Sequence, residues 1–459
     1  MTSIDVLPDD ILLAMFDFYV ETWMETWQLL AHVCRRWRSL VFGSPRRLSL
    51  RLFCPPKTPA RDTLDVWPPL PLYIWCRIGY PMERVDNIIA VLERSDRVVE
   101  IHIQPVSSSQ LESFSAAMQE PFPELKRLEL RLEDKSRETV SVLPDSFLGG
   151  FAPRMQFLSF KCIPFPGLPK LILSATHLVE LHLRDIPHSG YIPPDAMVTA
   201  LSTLTSLKTL TLNFQSPRSC PDRASRRLLP LTRFVLPVLE SFWFKGVNEY
   251  WDDLMARIDA PLLDILEITF FNQILFDTPQ FIQFISRTPR LKAVEKAHLS
   301  FFGRGARANF STQTSHRPWL SVVILCEELG WQISFLEQVC TSCFPPLSVL
   351  ENLYISQQSE PDRQDNIEET LWLELLQPFT ALKNLYLSKE FAPHIAPALQ
   401  ELVRGRTIEV LPTLQNIFLE DLQLSGPVQE GIQQFAATRE VMNLPVAVLL
   451  WDFSAWDKF

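Results

Sequence analysis

Glycine is scarce in this chain, at 13 of 459 residues. No Gly-rich phosphate-cradling loop, dinucleotide fingerprint or Gly-x-Ser-x-Gly elbow occurs. Long apolar runs are missing too: none approaches the roughly 18 residues a membrane helix needs, although 47% of the residues are hydrophobic. The first residues are acidic and lack the basic-then-apolar order of a secretory leader. The eight cysteines show no framework spacing, which suits a reducing compartment. An intracellular protein, cytoplasmic or nuclear, with no membrane contact is therefore expected. Positive charge is in deficit, with 43 Lys and Arg against 53 Asp and Glu and a net charge of −10. Residues 1–51 carry six charges of each sign, so the whole acidic excess lies beyond them. A binder of the nucleic-acid backbone needs the opposite balance, and no nucleic-acid partner is expected.

Catalytic and metal constellations are equally thin. Cys340-Thr341-Ser342-Cys343 has metal or redox spacing, but a zinc site needs a second pair and none lies nearby. It reads as two small apolar residues near a helix end. His177, His182 and His188 are separated by five and six residues, which does not align them on one helix face. The expectation is a non-catalytic protein with no cofactor and no metal.

What is present begins at the N-terminus. Pro8 suits the first position of a helix, where its missing N–H has no partner, and Asp9 and Asp10 place negative charge in the first turn. Ile11, Leu12, Met15, Phe16, Tyr19 and Val20 then spread over more than one helical face, which predicts burial on two sides. Trp27, Leu30, Ala31, Val33, Cys34, Trp37, Leu40 and Val41 recur at helical spacings. Periodicity alone fits equally a helical hairpin that only caps the domain behind it. Leu7-Pro8 followed by Ile11, Leu12 and Phe16, and then Val33-Cys34-Arg35-Arg36-Trp37-Arg38, resembles both ends of the F-box pattern in order. The resemblance implies that Leu7, Pro8, Ile11, Leu12 and Phe16, with Val33, Cys34, Trp37 and Leu40, form or support a surface for the Skp-family adaptor of a cullin ubiquitin ligase. Glu21–Thr26 is longer than the usual link between the two helices, a departure that bears on adaptor binding. The cluster Arg35, Arg36, Arg38, Arg46 and Arg47 reads as solvated faces or contacts to an acidic partner.

Beyond this module a pattern apolar-x-x-apolar-x-apolar keeps returning. It appears at Val98-Ile101-Ile103, Leu125-Leu128-Leu130, Met155-Leu158-Phe160, Leu178-Leu181-Leu183, Leu207-Leu210-Leu212, Leu239-Phe242-Phe244 and Leu263-Leu266-Ile268. It resumes at Leu350-Leu353-Ile355, Leu382-Leu385-Leu387 and Leu414-Ile417-Leu419. Repeats of 20–30 residues built on a short alternating segment are the signature of leucine-rich repeats. Period two puts the last two apolar residues of each motif on one strand face, and helical segments between them supply the other wall of the core. The position usually held by Asn or Cys carries Glu133, Ile186, Gln215, Val247 and Glu390 instead, so irregular turns are expected. Val294-Ala297-Leu299 and Leu320-Val323-Leu325 read as degenerate strands around an exposed insertion or hairpin, 301–318.

The expected fold class is therefore α/β: a short helical F-box (1–50), a Pro-rich stiff joint (51–85), an irregular leucine-rich-repeat solenoid with a parallel sheet on its concave face (86–425), and a C-terminal cap (426–459). The arrangement resembles the F-box/leucine-rich-repeat proteins, in particular the large F-box families of mushroom-forming fungi. That resemblance implies a substrate-recognition subunit of an SCF-type ligase, with an adaptor, through it a cullin, and a protein target as partners. A non-degradative adaptor-bound or free-standing repeat scaffold is the alternative. The strand residue between the last two apolar positions gives the concave row Glu129, Ser159, His182, Thr211, Trp243, Glu267, Tyr354, Tyr386 and Phe418. Aromatic residues are frequent interface anchors, which makes Trp243, Tyr354, Tyr386 and Phe418 the candidate target-binding set. The competing expectation is that the tail with Trp451, Phe453 and Trp456 folds back over them.

Overall fold

The computed structural model describes residues 6–22, 27–45, 48, 50–54, 60–77, 85–133, 141–218, 233–271, 278–292, 294–311, 319–342, 347–357, 368–405, 410–420 and 427–451. The chain divides into two compact units, Met1–Ile192 and Pro193–Phe459, both α/β.

The first unit opens with three helices, α1 (Asp9–Thr22), α2 (Trp27–Val33) and α3 (Arg35–Gly43). Pro8 sits one position before α1 and its carbonyl accepts from the Leu12 N–H at 3.1 Å, a shift of one residue from the expected start. The second apolar run is broken at Cys34, whose extended backbone and Sγ cap α3 by accepting from the Trp37 N–H. Six strands follow: β1 (Leu52–Cys54), β2 (Leu72–Arg77), β3 (Val98–Val106), β4 (Arg127–Leu132), β5 (Phe157–Lys161) and β6 (Glu180–Ile186). They pair in parallel and in chain order. The register stacks like positions of successive motifs, Ile101, Leu128, Leu158 and Leu181 in one line and Ile103, Leu130, Phe160 and Leu183 in the next. All eight are buried, and each contributes about 1.5–3 kcal/mol. The segment expected as a joint, 51–85, carries β1, β2 and α4 (Ala60–Val66) and belongs to the sheet. Its proline run at 55–59 lies outside the described residues. Helices α5 (Val85–Leu92), α6 (Ser108–Ala117) and α7 (Leu168–Ile172) alternate with the strands, α6 starting on a Ser107/Gln110 capping box.

The second unit contains α8 (Pro194–Leu201), β7 (Thr209–Phe214), a small parallel pair of β8 (Phe234–Val235) with β10 (Ile258–Asp259), β9 (Ser241–Gly246) and β11 (Ile265–Phe271), with α9 (Asn248–Met255) and α10 (Pro279–Arg287) between strands. Then come β12 (Lys296–Phe302), β13 (Gly305–Ser311), β14 (Leu320–Leu325), α11 (Leu329–Ser342), β15 (Asn352–Gln357), α12 (Glu369–Leu376), β16 (Asn384–Leu387), α13 (Ala392–Gly405), β17 (Asn416–Leu419), α14 (Pro427–Val441) and β18 (Ala447–Leu450). The sheet order in this unit is β7-β9-β11-β14-β13-β12-β15-β16-β17-β18.

Among the described strands only β13 runs against its neighbours, pairing antiparallel with both β12 and β14. Two expectations change here. Within the stretch 301–318, residues 301–311 are a hairpin, one of the two expected forms, but not an exposed one: β13 is an interior strand with Ala306, Ala308 and Phe310 fully buried, and residues 312–318 lie outside the described set. Gly305 accommodates a close approach, since a Cβ there would lie 2.1 Å from the Ile324 carbonyl oxygen. In β14 the register is one residue off the expected one, because Leu320, Val322 and Ile324 align with Leu266, Ile268 and Phe270 of β11 and face the core. Val323 and Leu325 point to the other face by alternation. The C-terminal segment continues the alternation with α14 and β18, β18 pairing parallel to β17.

Candidate interaction surfaces

Helix α1 carries two adjacent apolar stripes. Leu12 and Phe16 turn inward and are buried, with the Phe16 ring 4.7 Å from that of Trp37. Ile11, Met15, Phe18 and Tyr19, at positions i, i+4, i+7 and i+8, form an outward stripe, with Phe18 76% exposed. On α2, Leu29 and Val33 repeat the i, i+4 spacing and are each 59% exposed. Of the residues expected on an adaptor surface, Pro8, Ile11, Val33 and Cys34 are exposed, Leu7, Trp37 and Leu40 are half-buried, and Leu12 and Phe16 are core. Met15, Phe18, Tyr19 and Leu29 extend the surface; Met15 and Tyr19 were part of the apolar pattern, while nothing in the sequence pattern singled out Phe18 or Leu29 as outward. Two arginines expected on solvated faces or against an acidic partner hold the helices together. The Arg36 guanidinium donates to Asp9 Oδ1 and to the Leu7 carbonyl, both at 2.6 Å, and Arg38 Nε donates to the Ala31 carbonyl at 2.9 Å. Trp27 is buried, with rings of Phe42 and Trp67 at 6.1 and 5.1 Å and its Nε1–H donated to the Arg51 carbonyl. Within the link 21–26, residues 23–26 lie outside the described set.

On the sheet face opposite the core, the first unit aligns Trp75, His102, Glu129, Ser159 and His182 in one row across β2 to β6. The row is hydrogen-bonded: His102 Nδ1 lies 2.8 Å from Glu129 Oε2, Trp75 stacks on His102 at 5.1 Å, and His182 Nε2 lies 3.1 Å from Glu180 Oε2. The His102 hydrogen bond, outweighing burial, holds the Glu129 carboxyl below its usual range, and burial does the same to His182. Arg127 stands over the Phe157 ring at 3.4 Å.

The second unit aligns Thr211, Trp243, Glu267, Ser321, Asn309, His298, Tyr354, Tyr386, Phe418 and Leu449. Tyr354, Tyr386 and Phe418 form a ladder of parallel rings at 4.1 and 4.4 Å. Beside it Asn352, Asn384 and Asn416 form an amide ladder with two hydrogen bonds of 2.8 Å. The ladder is not an open platform: Trp451 packs 5.6 Å from Tyr354 and 4.9 Å from Tyr386, and Tyr354 is buried. Burial pushes the Tyr354 hydroxyl well above the ordinary tyrosine value. Trp451 thus takes the covering position expected of the tail; Phe453 and Trp456 lie outside the described residues. Trp243 is not brought to this ladder. The inserted hairpin puts five strand spacings between them, about 24 Å.

His298 is pushed down to about 4 by burial and by the neighbouring Arg307 charge, and its Nε2 lies 2.7 Å from Ser356 Oγ. The folded state keeps the ring neutral, whereas the unfolded chain takes up a proton below about pH 6.5. Stability from this site is therefore complete above pH 6.5, falls as pH drops toward 4, and is gone below that. The loss is expected to be on the order of 2–3 kcal/mol. Comparing unfolding midpoints of wild type and His298→Gln between pH 7 and pH 4 checks this: the difference between them should shrink steadily on acidification.

Among the described residues no group of three or more His, Cys, Asp and Glu side chains is placed to hold a metal ion, and no helix is long and apolar enough to cross a membrane. Cys340 is buried in α11, and Cys343 lies outside the described residues. No protein-family model matches the chain, and no curated protein matches it.

Proposed function

We propose that the chain is a substrate-recognition subunit of an SCF-type cullin ubiquitin ligase. In this reading α1–α3 are an F-box that docks the Skp-family adaptor, and the strand–helix units are an irregular leucine-rich-repeat solenoid that holds a protein target inside the cell. The chain contributes position, not a chemical nucleophile. The observation that carries the reading is the outward stripe of Ile11, Met15, Phe18 and Tyr19, with Leu29 and Val33, beside an inward stripe that already satisfies the module's own core. An apolar surface of this kind on a small helical module marks a partner site.

Co-purification with a Skp-family adaptor tests it. The wild-type chain is expected to form a stoichiometric complex. Ile11→Asp/Val33→Asp, which alters exposed residues only, is expected to weaken it about 100-fold or more with an unchanged circular dichroism spectrum. A folded wild-type chain that binds no adaptor at micromolar concentration sinks the reading. A second reading, a free-standing repeat scaffold whose N-terminal helices only cap the sheet, is favoured by the Trp27–Phe42–Trp67 cluster that joins those helices to the following segment. It requires that same negative result.

A further inference from the structure

The antiparallel hairpin that interrupts the parallel sheet of the second unit places an unusual set of side chains on the face away from α11. Ser300 pairs across from Arg307, and Asn309 pairs across from Ser321. Arg307 and Asn309 are two apart on β13, so all four share one face over three adjacent strands. Ser300 and Ser321 are 0% and 5% exposed. Four atoms in this cluster, Ser300 Oγ, Arg307 Nε, Asn309 Oδ1 and Ser321 Oγ, are buried without a hydrogen-bond partner. Among the described residues the Arg307 guanidinium meets no carboxylate. The same sheet face satisfies its amides with one another in the Asn352–Asn384–Asn416 ladder and leaves Asn213 Oδ1 and Ser388 Oγ as isolated orphans, so what sets the hairpin apart is four such atoms side by side on three adjacent strands. Buried polar groups in native proteins are nearly always paired, by protein, water or ligand.

The chemistry of the set is specific. A guanidinium and two hydroxyls offer charge and directed hydrogens, the combination that binds oxyanions. The Asn309 amide adds either a donor or an acceptor, depending on which way it is turned. We propose that this hairpin face is a binding site for a small ligand bearing a phosphoryl or carboxylate group, with Arg307 as its anchoring cation and Ser300, Ser321 and Asn309 as its hydrogen-bonding partners. The site lies outside the adaptor surface and does not depend on adaptor docking.

Calorimetric titration of the full chain with inorganic phosphate, and separately with succinate, at constant ionic strength tests the proposal. Saturable one-to-one binding of at least one of them is expected, and which one binds tells phosphoryl from carboxylate. Arg307→Gln is expected to weaken that binding at least about tenfold. Asn309→Asp, nearly isosteric, supplies Arg307 with an internal carboxylate; it should abolish binding while raising the Tm of the unliganded chain. It also serves as the deciding variant if Arg307→Gln fails to fold. No saturable binding of either anion, as expected if ordered water alone fills the cluster, overturns the proposal. Equal affinity in wild type and folded Asn309→Asp overturns it as well.

Discussion

Trp251→Ala is expected to destabilise the second unit by about 3–5 kcal/mol, the range for deleting a buried tryptophan. Trp251 is fully buried on α9, and its ring centroid lies 5.3 Å from Phe242, 5.0 Å from Phe244 and 5.5 Å from Phe281. It therefore joins β9, α9 and α10 through one side chain. The cavity left by alanine is walled by rings held in the sheet, which limits how far the site can collapse. Trp251→Phe should recover most of the loss, since the indole Nε1–H has no partner to lose. Because two compact units need not unfold together, a single global unfolding free energy is a poor readout. Hydrogen exchange is better: Ala at 251 should strip protection from β9, β11, α9 and α10 while the strands of the first unit keep theirs. Uniform loss across both units, or no loss, would contradict this local role.

The sheet was legible wherever one face is apolar and the other polar. Every one of the ten regular six-residue motifs ends in a strand of the parallel sheet, because only period two places its last two apolar residues on one face. Legibility failed where that contrast is absent. In β14, Leu320, Val322, Val323, Ile324 and Leu325 are apolar on both faces, so period two fits either register and only the pairing with β11 selects one. In β13 two of the three core positions are Ala306 and Ala308, which give little hydropathic signal although neighbouring strands cover them fully. Strands β1 and β2 hide in a proline-rich segment whose composition suggests extended linkers.

The candidate surfaces divide in the same way. Two apolar stripes on α1 are written in its spacing, so an outward face was readable from Ile11 and Met15. The Arg36 clasp onto Asp9 and Leu7 was not, since it depends on how α3 returns against the start of α1. The aromatic ladder was readable as a row, its 32-residue spacing from Tyr354 to Tyr386 to Phe418 keeping the register identical. Its separation from Trp243 was not readable, because chain order does not reveal that β14, β13 and β12 stand in reverse order in the sheet.

Arg439→Ala is expected to cost about 2–5 kcal/mol, the range for truncating a long buried side chain, a loss out of proportion to a residue that looks like a solvated helix charge. The side chain is 0% exposed and has no acidic partner among the described residues. Its Nη2 donates instead to the carbonyls of Leu411, Pro412 and Leu414 at 3.2, 3.3 and 3.5 Å, staking α14 to the turn that precedes β17. Leu411 is in the left-handed region at φ 53°, a conformation that a leucine adopts only under outside constraint. Desolvation lowers the pKa of Arg439 from its usual value, so the cation is held by carbonyl dipoles against the cost of burial. Arg439→Lys should not rescue the loss, because a compact ammonium lacks the guanidinium's planar reach toward three acceptors. Arg439→Met separates the remaining contributions. It keeps most of the volume and removes the buried charge, but leaves the turn carbonyls without their donor, so it should fall between wild type and Ala, about 1–2 kcal/mol above Ala. Exchange protection in α14 and β17 reports all three variants. A Met variant more stable than wild type would show that the charge is a net liability and that packing alone holds α14 to the turn.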